Sequence, residues 1–292
     1  SQVKPEGARG LHGRARAIMS AIAKRGAAKG QFDVVLGEVS SEAVGSLIVQ
    51  SLAVKGFCVV NPGFTESVLQ KAVKDCEELD FYQVNAAVSG GLLGAEGSCR
   101  IADLESGLED EARSEGDSLK AMDHTMTRIG YILEPYVDRI GFDMTHRSAG
   151  VLNRAGEAED ETPPLNEQEV SKWQSQFLRH RLMVIIFLGP KAGNLDLEPF
   201  DTADAETYQV KATPGTMVLL RADKMAHKLT TSGDCFSLST FYMTDVVKKR
   251  APEGGWRLTP SAKVIEDWTL KRLQDLKAME DFGTPTWDPE IP

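Results

Sequence analysis

Apolar positions along the chain form two patterns. The first is short and nearly continuous. Residues 182–189 (LMVIIFLG), 194–200 (NLDLEPF), 216–223 (TMVLLRAD) and 235–243 (CFSLSTFYM) are rich in Val, Ile, Leu, Phe and Tyr. Gly, Pro, Asn and Asp bound them, which is the mark of sheet strands. One histidine, His227, lies between the last two runs, in DKMAHKLTTSGD. Upstream, FDVVLGEVS reads as a short strand or extended segment and RSAGVLNRAG as a strand. FCVVNPGF reads as a strand closed by the turn Asn61-Pro62-Gly63.

The second pattern repeats every three to four residues and predicts helices. It covers SSEAVGSLIVQSLAVK, with Ser40 or Ser41 as cap and Gly56 as stop, and TESVLQKAVKDCEELDF, which Thr65 would cap. It covers 119–142, where Met122, Met126, Ile129, Ile132 and Leu133 share a face and Pro135 predicts a kink. Residues 170–181 read as a short helix or irregular lead-in to the strands. The clearest helix is 261–282, capped by Ser261, with Ile265, Trp268, Leu273 and Leu276 at helical spacing.

The remaining stretches read as connections. Residues 85–118 are rich in Gly, Ser and acid and predict a loop or lid with a short acidic helix. The organisation predicted is a basic arm over 1–30, a domain over 31–250, and a C-terminal helix and linker over 251–292.

Charge and composition narrow the function. A net charge of -10 argues against nucleic acid and anionic membranes as partners. No apolar run approaches the roughly 20 residues of a membrane span. Four cysteines, Cys58, Cys76, Cys99 and Cys235, stand apart without CxxC spacing, which predicts free thiols and a reducing, cytoplasmic setting. The chain starts at Ser1 and ends in GTPTWDPEIP, a linker-like tail. A domain of a larger synthase-like polypeptide, with neighbouring domains as partners, is the expectation drawn from this.

From about Gly150 to Met243 the chain resembles the core of the Fe(II)/2-oxoglutarate-dependent oxygenases, in the cadence of their prolyl-hydroxylase-like branch. The residues that carry the resemblance are the strand RLMVIIFLGP, the G-x-L-x-L element Gly193 to Leu197, the Pro214-Gly215 opening before TMVLL, His227, and the final strand SLSTFYM. The resemblance implies an α+β fold: a double-stranded β-helix of the jelly-roll or cupin kind, with supporting N-terminal helices and a C-terminal helix. It also implies iron held by two imidazoles and one carboxylate, with open positions for 2-oxoglutarate and O₂.

Two departures qualify that inference. The family's His-x-Asp pair is missing. The aligned positions are Glu159-Asp160-Glu161, Asn166-Glu167-Gln168 or Ser171-Lys172-Trp173, and no His-x-Asp or His-x-Glu occurs anywhere in the chain. About ten residues past the distal histidine the family carries a cation for the far carboxylate of 2-oxoglutarate, and here residues 232–237 hold none.

Three readings follow. In a divergent oxygenase, His227 and His180 (or His146) would be metal ligands with Asp196, Asp143 or Asp223. Arg221, Lys224 or Lys228 would take the co-substrate, and a small molecule or carrier-tethered chain would be the substrate. In a pseudo-oxygenase the barrel is kept without iron as a binding or scaffold domain. In a metal-independent isomerase or cyclase, His227 and Asp223 would be acid and base.

Overall fold

The computed structural model describes residues 32–94, 100–104, 117–156, 161–200, 207–245 and 259–283. The basic arm, most of the acidic stretch expected after residue 104, the C-terminal linker, Glu159, Asp160 and Cys99 lie outside these residues.

The N-terminal half runs β1 (Val34–Val35), α1 (Ser41–Lys55), β2 (Phe57–Asn61), α2 (Glu66–Glu77), β3 (Tyr82–Gln83), α3 (Ala86–Leu92) and β4 (Arg100–Leu104). Then come α4 (Ser118–Leu133), a 3-10 turn at Glu134–Tyr136, α5 (Val137–Ile140), β5 (His146–Arg147) and β6 (Gly150–Ala155). The rest is α6 (Glu167–Arg179), β7 (His180–Pro190), β8 (Gly193–Pro199), β9 (Tyr208–Ala212), β10 (Met217–Leu220), β11 (Met225–Thr231), β12 (Cys235–Met243) and α7 (Pro260–Gly283).

Local chemistry sets the helix ends. The Ala43 amide donates to Ser40 Oγ at the start of α1, and Gly56 ends it in the left-handed region at φ 81°. Pro135 interrupts the predicted 119–142 helix, leaving α4, a 3-10 turn and α5. Two expected caps differ. Thr65 precedes α2 without a side-chain capping bond, its hydroxyl facing that of Ser67 instead. At α7 the Ala262 amide donates to Thr259 Oγ1, while Ser261 is buried.

The strands form two facing sheets. The larger has the order β1-β2-β10-β7-β12-β6-β4-β3, with β5 on β12, and the smaller is β11-β8-β9. The barrel strands β6 to β12 thus divide between two sheets in jelly-roll fashion, so the fold is a double-stranded β-helix with helices around it. The run LMVIIFL is apolar without alternation because both faces of β7 are covered. Met183, Ile185 and Phe187 face the smaller sheet. Leu182, Val184, Ile186 and Leu188 face the helical layer of α1, α2 and α4. Each of these side chains contributes roughly 1.5–3 kcal/mol by leaving water.

One side of the smaller sheet is closed by an unexpected segment. Past β6 the chain enters α6 rather than a strand, and Val170, Trp173 and Phe177 of α6 pack between the sheets. Leu92 to Gly94 at the end of α3 lie along β11 instead, where the Leu229 amide donates to Leu93 O at 2.7 Å. Gly94, at φ 99°, comes so near β11 that a Cβ there would stand 2.8 Å from Lys228 Cα. Gly91 is equally confined, its Cβ position lying 2.5 Å from the Phe177 ring. The glycines of SGGLLG therefore let α3 wedge into the mouth of the barrel. Part of the segment expected to be a loop or lid is in this way a packed plug.

Candidate functional site

β11 carries His227 into the space between the sheets. In its register His227 stands opposite Leu197 and Leu229 opposite Leu195, and both leucines are fully buried. Side chains alternate along a strand, so Lys228 and its opposite number Asp196 point outward. The His227 Nε2–H donates to Leu92 O at 2.6 Å. A carbonyl only accepts, so Nε2 holds the proton and Nδ1 is a bare acceptor. Among the described residues Nδ1 is buried without a hydrogen-bond partner of good geometry, and the Met225 backbone also lies against the ring. Burial pushes the His227 pKa down, which keeps the ring neutral.

His180 joins it at the mouth. The register of β7 with β12 slips between Tyr242 and Met243, leaving Arg181 as the extra residue and turning His180 inward. Its Nδ1–H donates to Gln176 O at 3.1 Å, and the ring lies beside Phe177 and Phe241. Burial pushes its pKa down to about 3, with His227 and Arg181 nearby acting the same way.

That depression sets a pH dependence. The His180 pKa in the fold lies below the ordinary value near 6.5, so the unfolded chain takes up a proton that the folded chain refuses. Stability from this group is complete above roughly pH 6.5 and is lost as the pH falls toward about 3. The loss is at most about 1.4 kcal/mol per pH unit. Urea midpoints measured from pH 7 to pH 4 should fall, and His180→Phe should flatten the slope. Equal slopes in the two proteins would count against a buried neutral imidazole.

The other expected residues lie elsewhere. Asp196 accepts from Gln209 Nε2 at 2.9 Å on the outer face of the smaller sheet, beside Lys228. Neither reaches the space that holds His227. Arg221 extends the helix-facing side of β10. Its guanidinium donates to both Asp223 carboxylate oxygens at 2.8 Å and to Ile140 O at 2.9 Å, and lies 4.8 Å from the Phe142 ring centre. Arg221 and Asp223 thus form a buried structural ion pair in the helical layer, away from His227. Asp223 is not placed as an acid or base for that histidine. His146 is exposed and sits 3.0 Å from Asp245. Asp143 and Lys224 are exposed.

Iron does not fit this arrangement. Among the described residues the two inward imidazoles have no carboxylate partner, and one spends its Nε2 on a carbonyl. Among the described residues no group of three or more His, Cys, Asp and Glu side chains comes together to hold a metal ion. A dicarboxylate fits no better. Ten positions past His227 stands Ser237, fully buried, facing Asn153 in register and with its hydroxyl unpartnered. Asn153 Nδ2 donates to Ser239 Oγ at 3.1 Å. The inner wall of the larger sheet is neutral here.

Sequence reasoning missed Leu92 to Gly94, Gln176 and Phe177 as neighbours of the site. The signal for the first was present: SGGLLG couples two leucines to three glycines inside a polar stretch. Outside the barrel, a surface cleft of about 680 Å³ separates the start of α6 from α7, lined by Glu167, Trp268, Lys271, Arg272 and Asp275 among others. The Arg272–Glu167 ion pair spans it.

No family model matches the sequence, and no curated protein matches it. Solved structures similar to this chain include a prolyl hydroxylase from Trichoplax adhaerens in complex with a hypoxia inducible factor oxygen degradation domain peptide fragment. The identity is 15%, the TM-score 0.49, and the match covers 70% of this chain and 91% of that one. A prolyl-4-hydroxylase from Pseudomonas putida is similar at 11% identity and TM-score 0.46, over 71% of this chain and 100% of its own. A prolyl 4-hydroxylase from Phytophthora capsici is similar at 17% identity and TM-score 0.46, over 80% of this chain and 75% of its own. The likeness carries no chemistry, and the fold assignment stands on the strand order and register described above.

Among the described residues no helix is long and apolar enough to cross a membrane. Cys58, Cys76 and Cys235 are buried free thiols.

Proposed function

We propose that this chain is an oxygenase-like barrel that works without iron, as a binding or scaffold domain. The observation that carries the reading is the state of His227. Its Nε2 is committed to Leu92 O at 2.6 Å, and the described residues around it are a neutral imidazole, aromatic rings and backbone rather than a carboxylate. Beside the two imidazoles α6 adds Trp173 and Phe177 to the apolar core, with the Phe177 ring against Phe241. Buried free thiols suit a reducing, cytoplasmic setting. Partners in keeping with the acidic surface are a small or carrier-tethered molecule and neighbouring domains of a larger polypeptide. Nucleic acid is not among them.

Anaerobic loading with Fe(II), followed by metal analysis of the wild type and of His227→Ala, tests this. Both proteins are expected to retain far less than one iron per chain and to leave added 2-oxoglutarate unconsumed. Stoichiometric iron in the wild type that is lost in the variant would overturn the reading and restore an oxygenase with unforeseen ligands.

A further inference from the structure

α7 outruns the body it packs on. Ala262, Ile265, Thr269, Leu273, Leu276 and Met279 follow one another at three or four residues, so they share one helix face. The first part of that face is covered. Ala262 and Ile265 are buried in the core, and Ser261 meets α3, where a Cβ on Gly90 would stand 3.0 Å from its hydroxyl. Further along, the same face is bare among the described residues: Leu273, Leu276 and Met279 are 57%, 41% and 63% exposed. The cleft between α6 and α7 runs alongside, lined by Trp268, Lys271, Arg272 and Asp275 of α7. A contiguous apolar face beside a preformed cleft marks a docking surface.

The chain itself supplies an occupant of the right length. α7 ends at Gly283, and residues 284–292, TPTWDPEIP, follow directly, outside the described residues. Gly283 with Pro285 shortly after it is a helix stop at which the chain can reverse. Nine residues reach at most about 30 Å. Asp275 and Trp268, the two ends of the α7 side of the cleft, lie roughly 12 and 22 Å back from Gly283 along the helix. Spacing agrees as well as reach. Trp287 and Ile291 are separated by about 13 Å of straight chain, and Leu276 and Trp268 by about 12 Å of helix.

Charge favours this segment over the basic arm. Arg272 holds Glu167 at 2.7 Å. Lys271 and Lys277 remain exposed beside the cleft, and α6 begins there with the positive end of its dipole. Asp275 offsets them only in part. Residues 284–292 carry Asp288 and Glu290 and no cation, whereas the arm over 1–30 would bring its lysines and arginines against those same positive groups.

We propose that residues 284–292 dock back along α7, with Trp287 over Leu273, Leu276 and Met279 and Ile291 in the cleft beside Trp268. The face between α6 and α7 is then a docking site for an acidic, Trp-bearing segment, separate from the barrel interior and independent of whether metal binds there.

The full chain labelled with 5-fluorotryptophan tests this, the Trp287 signal being assigned with Trp287→Phe. The ¹⁹F shift between H₂O and D₂O reports exposure of each ring. Trp287 is expected to show a small shift, close to that of buried Trp173, and Leu276→Glu should raise it to that of a fully exposed ring. Trp287→Ala should speed amide exchange at residues 273–279 at least about tenfold and leave β12 unchanged, as expected when a local cover is lost. Tyr131→Ser, at an exposed site on α4, should alter neither readout. A fully exposed Trp287 in the wild type, or unchanged exchange in Trp287→Ala, overturns the proposal. Protection of Trp287 that vanishes on dilution makes a second copy the occupant and overturns it as well.

Discussion

Replacing Asp223 with alanine is expected to cost about 3–5 kcal/mol of folding stability. Arg221 is 4% exposed, and its guanidinium has one carboxylate to balance it, held at 2.8 Å through both oxygens. Removing that carboxylate leaves a buried cation over the Phe142 ring, bonded among the described residues to the Ile140 carbonyl alone. The paired replacement Arg221→Met with Asp223→Leu should recover most of the loss, since apolar side chains of similar volume commonly replace a buried ion pair at little cost. Urea unfolding of the three proteins measures both effects. A single-variant loss of under about 1 kcal/mol, the range of an exposed pair, would contradict the burial. The His227 ring signals should not change in the paired variant, because the ion pair lies on the other side of the larger sheet.

Trp173→Ala should be nearly as damaging, at about 3–5 kcal/mol. The indole is 1% exposed and stacks on Phe177 at 5.5 Å, so its loss opens a void between the sheets that the rigid strands cannot close. An apolar void of this size stays dry and admits small apolar molecules. Added indole should therefore raise the thermal midpoint of the variant and leave the wild type almost unaffected. A variant that unfolds at the wild-type midpoint would mean that α6 does not fill the barrel.

The strands of the barrel were legible because their chemistry is local. The apolar run 235–243 coincides with β12, and the predicted 182–189 falls within β7. Continuous apolar runs between turn residues leave little choice of structure. β9 and β11 are not legible, because YQVKA and MAHKLTT mix one inward set with polar residues and are too short for alternation to stand out. His227 stands out in the sequence, and the structure places it between the sheets; its neighbours there are not readable from the chain. Whether Asp196 shares its face depends on register, and register places His227 opposite Leu197 rather than opposite Asp196. Arg221 and Asp223 looked like site residues because they precede His227 closely in sequence. They point to the helical layer instead. Gln176 is not readable from the sequence at all, since its backbone carbonyl meets His180 only through the packing of α6.

The bond from His227 to Leu92 joins positions 135 residues apart, whereas β7 to β12 pair largely among near neighbours in the chain. Closing so long a loop carries a large entropic cost, and contacts of high sequence separation form slowly. Assembly of this protein therefore has a natural order: β6 to β12 pair first, and the N-terminal wedge and β2, which pairs with β10, seat afterwards. A refolding chain passes through a stage in which β6 to β12 are paired and the space between the sheets still faces water.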